Sequence, residues 1–549
     1  ELFFLEENDL DQLVRSFVSL QRRQAVKVVV TRWLSLRDVT LLVILPRSYY
    51  TQDSARRLDN YLRRYLKTDD VDTRVIHFYS DYLSMQVRVV PQSDKLKIDI
   101  DAMERIMTEL ARPWEDRLLR QLTRKFGSDR ACRLWPVYAG GFASEYKSMN
   151  HPRMRRHIGR RFGVGLADGK ERFDLWGPFH QKEEYFRLQF YSLRESYLNE
   201  LMPYLENLGL IVVGEFDANI TIVGRIAYIK SFNVRSGSDA LPLSDLRDRL
   251  LDLLHALRSG AVENDYLNRL LVLTGLSWKQ IDIFRAYRNY YFQIGNPFTK
   301  SRVATALINN PRIAILLYRY FEARFKPVDA WTDTLRREED ALMPVRMDLA
   351  EALNLVEDIN EDRILRSLFN LIDSTIRCNF FKRCEDDDYF LAFKISAIGI
   401  MEMPFPRPLY ETYVHSATME GIHLRGGLVA RGGIRWSDRP DDFRTEVLGL
   451  MKTQMTKNSL IVPVGSKGGF VVKTPFETRE EGGRLSREAY ITLMRGLLDL
   501  VDNRIEGEVV HPEGIVVHDE LDPYLVVAAH KGTAHLPATA NSVSIDYGF

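Results

Sequence analysis

From residue 243 to residue 377 almost every window repeats apolar side chains at i, i+3 and i+4, as in Leu246, Leu250, Leu253, Leu254 and Leu257. That is the period of helices burying one face, and it predicts a helical domain in the middle of the chain. The flanks read differently, as mixtures of strand and helix signals, so the expected fold class is α+β / α/β multidomain. Within the helical stretch the run Phe284-Arg285-Ala286-Tyr287-Arg288-Asn289-Tyr290-Tyr291-Phe292 has the aromatics of a base-stacking surface. A chain with no excess of positive charge favours helix packing instead, and these rings are assigned to the core.

The charge balance carries that choice: 76 Lys+Arg against 75 Asp+Glu leave a net charge of +1. No long-range field gathers nucleic acid or an anionic membrane, so both are disfavoured as partners. With 549 residues, at roughly 150 per domain, three or four domains are expected. Cys132, Cys378 and Cys384 are the only cysteines, too few for a disulfide framework or a tetrahedral thiolate site, and a reducing cytoplasm fits best. Apolar runs such as 28–30 and 41–45 fall far short of the roughly 20 residues of a membrane span. The chain begins at Glu1 and breaks off just after a strongly patterned stretch, which reads as a fragment of a longer protein.

Before the helical domain lie two candidate α+β modules. In the first, residues 40–46 form a buried-strand run, 55–66 have helical spacing, and 71–78, 85–91 and 96–100 read as strands, followed by an amphipathic stretch over 103–126. In the second, 185–191 alternate as a strand. A helix over 192–208, kinked at Pro203, then stops at Gly209, and strands follow at 210–216 and 220–229. A β-α-β-β core of this kind resembles the ferredoxin-like regulatory fold called an ACT domain. The expected division is the end of a preceding region (1–30), an ACT-like module (31–125), a helical connector (126–182), a second ACT-like module (183–240), the helical domain (241–385) and an α/β substrate-binding domain (386–549).

The last of these carries the chemistry. It reads Arg431-Gly432-Gly433-Ile434-Arg435-Trp436-Ser437-Asp438-Arg439, a helix over 441–455, a buried strand over 459–464, and Gly465-Ser466-Lys467-Gly468-Gly469-Phe470. Paired glycines let backbone approach a small ligand at both places. Lys457 at the helix end and Lys467 in a glycine-bounded loop are near neighbours, and two partly desolvated lysines depress each other's pKa from about 10.4. A neutral amine of this sort acts as a base or polarises a carbonyl. Residue chemistry alone equally allows a solvated loop lysine, and the phosphate-loop pattern is absent.

The stretch 424–473, with Asp522-Pro523-Tyr524-Leu525-Val526-Val527-Ala528-Ala529 and Lys531-Gly532-Thr533-Ala534, closely resembles the large, bacterial, NAD-specific class of glutamate dehydrogenase, and weaker similarity covers nearly the whole chain. The resemblance implies oxidative deamination of L-glutamate to 2-oxoglutarate and ammonia, with hydride passed to NAD. It makes Lys467 the catalytic amine that activates water, Lys457 a ligand of a substrate carboxylate, and Gly432 and Gly433 backbone beside the substrate. Arg431 stands where smaller glutamate dehydrogenases carry lysine, and arginine still grips a carboxylate bidentately.

At His530 the sequence departs from the pattern, which has an aspartate before Lys-Gly-Thr-Ala to exchange protons with the substrate nitrogen and steady the lysine. Imidazole shuttles protons but does not favour the lysine's charged form. His535-Leu536-Pro537-Ala538 also stray, and the match resumes at Thr539-Ala540-Asn541. Inactivation, a variant mechanism and a sequence error each account for this, and the last is favoured. His415 and His423 have no carboxylate or cysteine partner at ligand spacing, so no metal is expected.

No Gly-x-Gly-x-x-Gly lies between a strand and a helix, so the cofactor domain is expected beyond Phe549 and the fragment alone is expected to be inactive. A second hypothesis gives the region a regulatory and assembly role in a homo-oligomer, its ACT-like modules binding amino-acid effectors. A dehydrogenase of branched or aromatic amino acids is disfavoured, since Lys457 and Arg431 suit two carboxylates.

Overall fold

The computed structural model describes residues 26–32, 39–68, 70–79, 81–89, 98–129, 131–132, 135, 171–177, 185–222, 225–237, 239–457, 462–530, 533 and 536–549, with 11, 14, 15 and 18. These fall in two compact units, one holding Glu1–Arg172, Phe190–Glu195 and Phe216–Lys230, the other Phe173–Gln189, Ser196–Glu215 and Ser231–Phe549.

In the first module β1 (Lys27–Arg32), β2 (Val39–Pro46), β3 (Val71–Tyr79) and β4 (Tyr82–Val89) form an antiparallel sheet in the order β1-β2-β4-β3. Alternation does the sorting: Leu83, Met85, Val87 and Val89 of β4 are buried while the residues between them are more exposed. Against that face lie α1 (Gln52–Leu66) and α2 (Ile100–Ala111), and α3 (Trp114–Phe126) follows in the chain. Helix α1 starts at a capping box between Thr51 and Ser54 and buries Leu58, Leu62 and Leu66, one turn apart.

Three sequence expectations change here. The run 28–30 is a core strand, so the module begins before residue 31. The strand expected at 96–100 is not one: Asp99 accepts the N–H of Ala102 at 2.9 Å and caps α2, while 96 and 97 lie outside the described residues. The amphipathic stretch 103–126 divides at Pro113, which cannot donate the N–H that a continuous helix requires.

The second module repeats the layout. Its sheet runs β5 (Arg172–Trp176), β6 (Phe186–Ser192), β8 (Arg225–Arg235), β7 (Ile211–Ile222), with α4 (Leu198–Asn207) between β6 and β7. In both modules a strand preceding the β-α-β-β core takes the place beside its first strand. Because β5 lies within 126–182, that stretch is not wholly a helical connector; 136–170 lie outside the described residues. The helix begins at Leu198 rather than 192 and ends before Gly209, whose φ of 71° is left-handed. The break placed at 217–219 is absent, since β7 runs unbroken through it.

The helical region comprises α5 (Leu243–Ser259), α6 (Leu270–Thr274), α7 (Trp278–Gln293), α8 (Lys300–Asn309), α9 (Pro311–Phe325), α10 (Met343–Leu353) and α11 (Ile359–Ser374). The aromatic run belongs to the core, as expected: Phe284, Tyr287, Tyr290 and Tyr291 of α7 are buried. Burial obliges their hydroxyls to find partners. Tyr287 bonds Thr375 at 2.9 Å, Tyr290 donates to Glu411 at 2.8 Å and Tyr291 to Glu402 at 2.8 Å. Among the described residues no helix is long and apolar enough to cross a membrane.

The catalytic-type sheet contains β9 (Thr375–Cys378), β10 (Leu391–Ser396), β11 (Tyr410–His415), β12 (Met419–Arg425), β13 (Ala430–Trp436) and β14 (Val464–Val472), then, beyond the small hairpin of β15 (Asn503–Ile505) and β16 (Glu508–Val510), β17 (Val526–Ala529). Its order is β17-β13-β14-β12-β11-β10-β9. Pairing is antiparallel from β9 to β14 but parallel from β14 to β13 and from β13 to β17. The sheet therefore starts at Thr375, inside the stretch assigned to the helical domain. Helix α12 (Phe443–Lys457) links β13 to β14, α13 (Arg479–Asp499) buries Leu493, Met494 and Leu497 with sheet residues Val414, Met419 and Phe470, and α14 (Pro537–Asp546) follows β17.

Candidate active site

The site forms on the parallel half of the sheet because β14 is where the pairing changes sense. Register carries the argument. Arg431 pairs with Gly465 and Arg435 with Gly469, so Gly433 comes level with Lys467. On the other side Arg431 pairs with Val526 and Gly433 with Ala528, and the next position of that parity is His530. Partners across a ladder share a face, and alternate residues along a strand do too. Arg431, Gly433, Arg435, Lys467 and His530 are thereby brought to one face.

That face is the one covered by α12. A Cβ added at Gly465 would lie 2.9 Å from Cγ of Gln454, and one at Gly469 2.6 Å from Val447, so glycine at both positions lets the helix sit close on the strand. Lys457 at the helix end thus approaches Lys467. Gly432 has a different reason: a Cβ there would stand 1.6 Å from the Ser466 carbonyl oxygen, so no larger residue fits between β13 and β14.

Two expectations about the lysines need correction. Lys467 is not in a loop but inside β14. The buried strand placed at 459–464 is not observed where it can be seen, since Val462 is 76% exposed and strand pairing begins only at Val464, with 459–461 outside the described residues. Lys467 consequently pairs with Leu424 of β12 inside a strand that β13 flanks on its other side, a stiffer mount than a turn.

The electrostatics follow the geometry. Lys467 and His530 are half-buried, while Lys457 and Arg431 are exposed. Burial, then the charge of Lys457, pulls the Lys467 amine below its ordinary 10.5. Burial, then Lys467 and Arg435, pulls the His530 imidazole below 6.5, with Glu446 acting the other way, so His530 is neutral near pH 7. Glu446, in the first turn of α12, is engaged by Arg435 at 2.8 Å and by the Ser437 hydroxyl at 2.6 Å. Among the described residues four cations, Arg431, Arg435, Lys457 and Lys467, therefore gather here with Glu446, a carboxylate that is already paired.

If Lys457 supplies part of that shift, Lys457→Ala should raise the pH at which Lys467 loses its proton toward 10.5. Competitive amine labelling of Lys467 as a function of pH measures this, and an unchanged titration would mean burial alone is responsible.

Residues that sequence reasoning passed over hold the constellation in place. Thr533 donates its hydroxyl to the Ile434 carbonyl at 2.7 Å and accepts the N–H of His530 at 3.0 Å, tying the end of β17 to β13. At the start of the same segment Asp522 accepts Lys394 at 2.6 Å and Arg425 at 2.5 and 2.9 Å, while its N–H donates to Asp502 at 2.5 Å. Asp502 and Asp519 bind the fully buried Arg377. The available signal was a charge inside an apolar strand, as in Lys394 of LAFKIS and Arg425 of MEGIHLR.

The histidines divide. His415 lies 3.5 Å from Asp282, a carboxylate far from it in sequence. His423 is buried with neither ring nitrogen hydrogen-bonded, and burial, then Arg425, pulls its pKa down to about 3. Burial likewise holds His518 at about 4. Among the described residues no three His, Cys, Asp or Glu side chains converge as a metal site would require. For an imidazole whose folded pKa is depressed, the unfolded chain takes up the proton first. Stability is complete above pH 6.5 and falls as pH drops from 6.5 toward about 3 for His423, with His518 adding in the same sense down to about 4. The depressed carboxylates Glu420 and Asp282, at about 2, contribute below that window. Urea midpoints at pH 7 and 5 should therefore differ, and His423→Leu should reduce the difference; equal pH dependence in both proteins would refute the assignment.

Comparison with known proteins gives four family matches: "Glutamate dehydrogenase, ACT2 domain" over residues 29–115, "ACT3 domain" over 171–246, "helical motif 3" over 262–327, and "Bacterial NAD-glutamate dehydrogenase, catalytic domain" over 348–549. The whole chain aligns with NAD-specific glutamate dehydrogenases from Halomonas elongata (33% identity over 566 residues, 34% of that protein), Pseudomonas aeruginosa (35% over 566, 34%) and Mycobacterium tuberculosis (34% over 594, 35%). It spans about a third of the length of these relatives. Matched from its first module to its last strand, the chain belongs to the family of the bacterial NAD-specific glutamate dehydrogenases.

Proposed function

We propose that the protein of which this chain is a part oxidises L-glutamate, with water, to 2-oxoglutarate and ammonia while a hydride passes to NAD, and that residues 386–549 supply the substrate side of that reaction. The observation that carries this reading is the excess of cations around a half-buried lysine of lowered pKa: Arg431, Arg435 and Lys457 surround Lys467, and the nearby Glu446 is already paired. A substrate with two carboxylates is the small anion such a face would hold.

In this reading Lys457 and Arg431 bind carboxylates, and backbone at Gly432 and Gly433 borders the substrate. Lys467, as a neutral amine, removes a proton from the attacking water. His530 stands where the family has aspartate and exchanges a proton with the substrate nitrogen through its neutral imidazole. The assembly and effector roles of the ACT-like modules, a homo-oligomeric state and a cytoplasmic location accompany this reading as proposals.

NAD does not fit the described residues. The turn between β13 and α12 contains no glycine and presents Asp438, Asp441 and Asp442 at the helix N-terminus, where a dinucleotide fold would set glycines around a pyrophosphate. The full-length protein tests the proposal: glutamate should drive NADH formation, and neutral amino acids such as leucine or phenylalanine should be poor substrates. Equal turnover of leucine and glutamate would overturn it.

A further inference from the structure

On the sheet, six residues beyond Lys467, a cleft of about 590 Å³ opens among the turn before α6, helices α7 and α8, and the ends of β12 and β14. Its size falls in the range of roughly 300–1,000 Å³ usual for small-molecule sites. Glu263, Asp265 and Glu420 bring three carboxylates to it; Arg288, Lys300 and Lys473 bring three cations. Most of this charge is internally satisfied. Asp265 accepts Arg285 at 3.0 and 3.1 Å and Arg288 at 2.7 Å. Glu420 accepts Asn289 at 2.9 Å and Tyr413 at 2.8 Å, and Lys473 reaches Glu420 at 3.2 Å, the Ser416 carbonyl at 2.7 Å and Oε1 of Glu263.

What remains unsatisfied is specific. Oε2 of Glu263 is 3.8 Å from Arg285 and 4.0 Å from Arg288, too far for a hydrogen bond. Among the described residues the Lys300 ammonium has no partner within ion-pair or hydrogen-bond distance; the Phe292 ring stands with its centroid at 5.0 Å, and Glu420 feels the charge from further off. The Ser301 hydroxyl is also without a partner among them, and Asn264 uses its oxygen to accept Asn268 at 3.2 Å while its amide N–H groups stay available. One anionic acceptor, one cation and two neutral donors are thus left open on the walls of a cleft whose lining charges cancel.

A dianion would meet three carboxylates and a dication three fixed cations, whereas a zwitterion completes the set without adding net charge. We infer that this cleft binds the zwitterion of a free L-α-amino acid, its ammonium on Glu263 and its carboxylate on Lys300 with Ser301 and Asn264. The cleft lies on the same sheet face as Lys467, six residues further along, but is lined by none of Arg431, Arg435, Lys457, Lys467 or His530, and it does not depend on what Lys467 catalyses. Strand β14 joins the two, since Lys467 lies on it and Lys473 directly follows its last residue, and an ammonium at Glu263 competes with Lys473.

Isothermal titration of the full-length protein without NAD, against each of the twenty L-amino acids, tests this, with glycinamide and acetate as probes of each half. At least one amino acid should bind, and Lys300→Ala and Glu263→Gln should each weaken it about 10-fold or more, as expected for losing a charge-assisted hydrogen bond. Lys457→Ala should leave this binding in place, which separates it from substrate binding. Lys300 is half-exposed and Ser301 exposed, so Ser301→Ala gives a milder variant, and thermal midpoints check that each protein is folded. The inference fails if no amino acid binds, if acetate or glycinamide binds as tightly, if binding survives both charge changes, or if Lys457→Ala alone removes it.

Discussion

Lys467→Ala is expected to lower the kcat of glutamate-dependent NADH formation in the full-length protein by about 10²–10⁴-fold, the contribution of a positioned general base. The size of the effect follows from the site's construction. The amine is mounted in the interior of β14 and carries a pKa lowered by burial and by Lys457, so its neutral form is available nearer physiological pH than that of a solvent lysine. Truncation removes that group while leaving Lys457 and Arg431 to bind carboxylate, so kcat should fall more than KM rises. Lys452→Ala, at an exposed position of the same helix, controls for the loss of one positive charge. A Lys467→Ala protein as active as the control would eliminate the proposed role.

His530→Asp is expected to raise kcat, on the order of 10²-fold, the lower end of the range for a properly matched acid–base group. The imidazole at this position is pushed toward neutrality by burial, Lys467 and Arg435. A carboxylate would be stabilised by those same cations, would accept the substrate proton as an anion, and would move the Lys467 titration upward. Backbone geometry should tolerate the change, because the His530 N–H is held by Thr533 and Nδ1 has no hydrogen-bond partner to lose. Steady-state rates of the two proteins, with His530→Ala as reference, distinguish the outcomes. If the aspartate variant is no faster and the alanine variant is much slower than the parent, imidazole is itself the working base and the departure from the family pattern is a variant mechanism.

Much of this molecule was legible in its one-dimensional pattern. The i, i+3, i+4 period over 243–377 marks the helical region, since a helix that buries one stripe must repeat its apolar residues at that interval. The alternation in β4 and the glycine after α4 mark their elements for equally local reasons. The resemblance carried by 424–473 pointed to Lys467, Lys457, Arg431 and the glycine pair; in the fold Arg431 and the glycines lie on β13, Lys467 on the adjacent β14 and Lys457 at the end of α12. Where the reading failed, the information was non-local. Residues 465–469 look like a glycine turn, but their glycines are required because α12 and β13 press on both sides of a strand. The 28–30 run is too short to assert itself until β2 pairs with it.

The amino-acid sequence alone thus determined the family, the helical and sheet segments and the identity of the cationic side chains, because these depend on residue type and short-range spacing. Tertiary structure decided that β14 pairs antiparallel with β12 and parallel with β13, which brings Arg431, Arg435, Lys467 and His530 onto one face. It also lowers the pKa of the lysine at the centre, through burial first and then the neighbouring charge of Lys457. Lys457, ten residues away along the chain, becomes that neighbour only when the helix folds back over its strand.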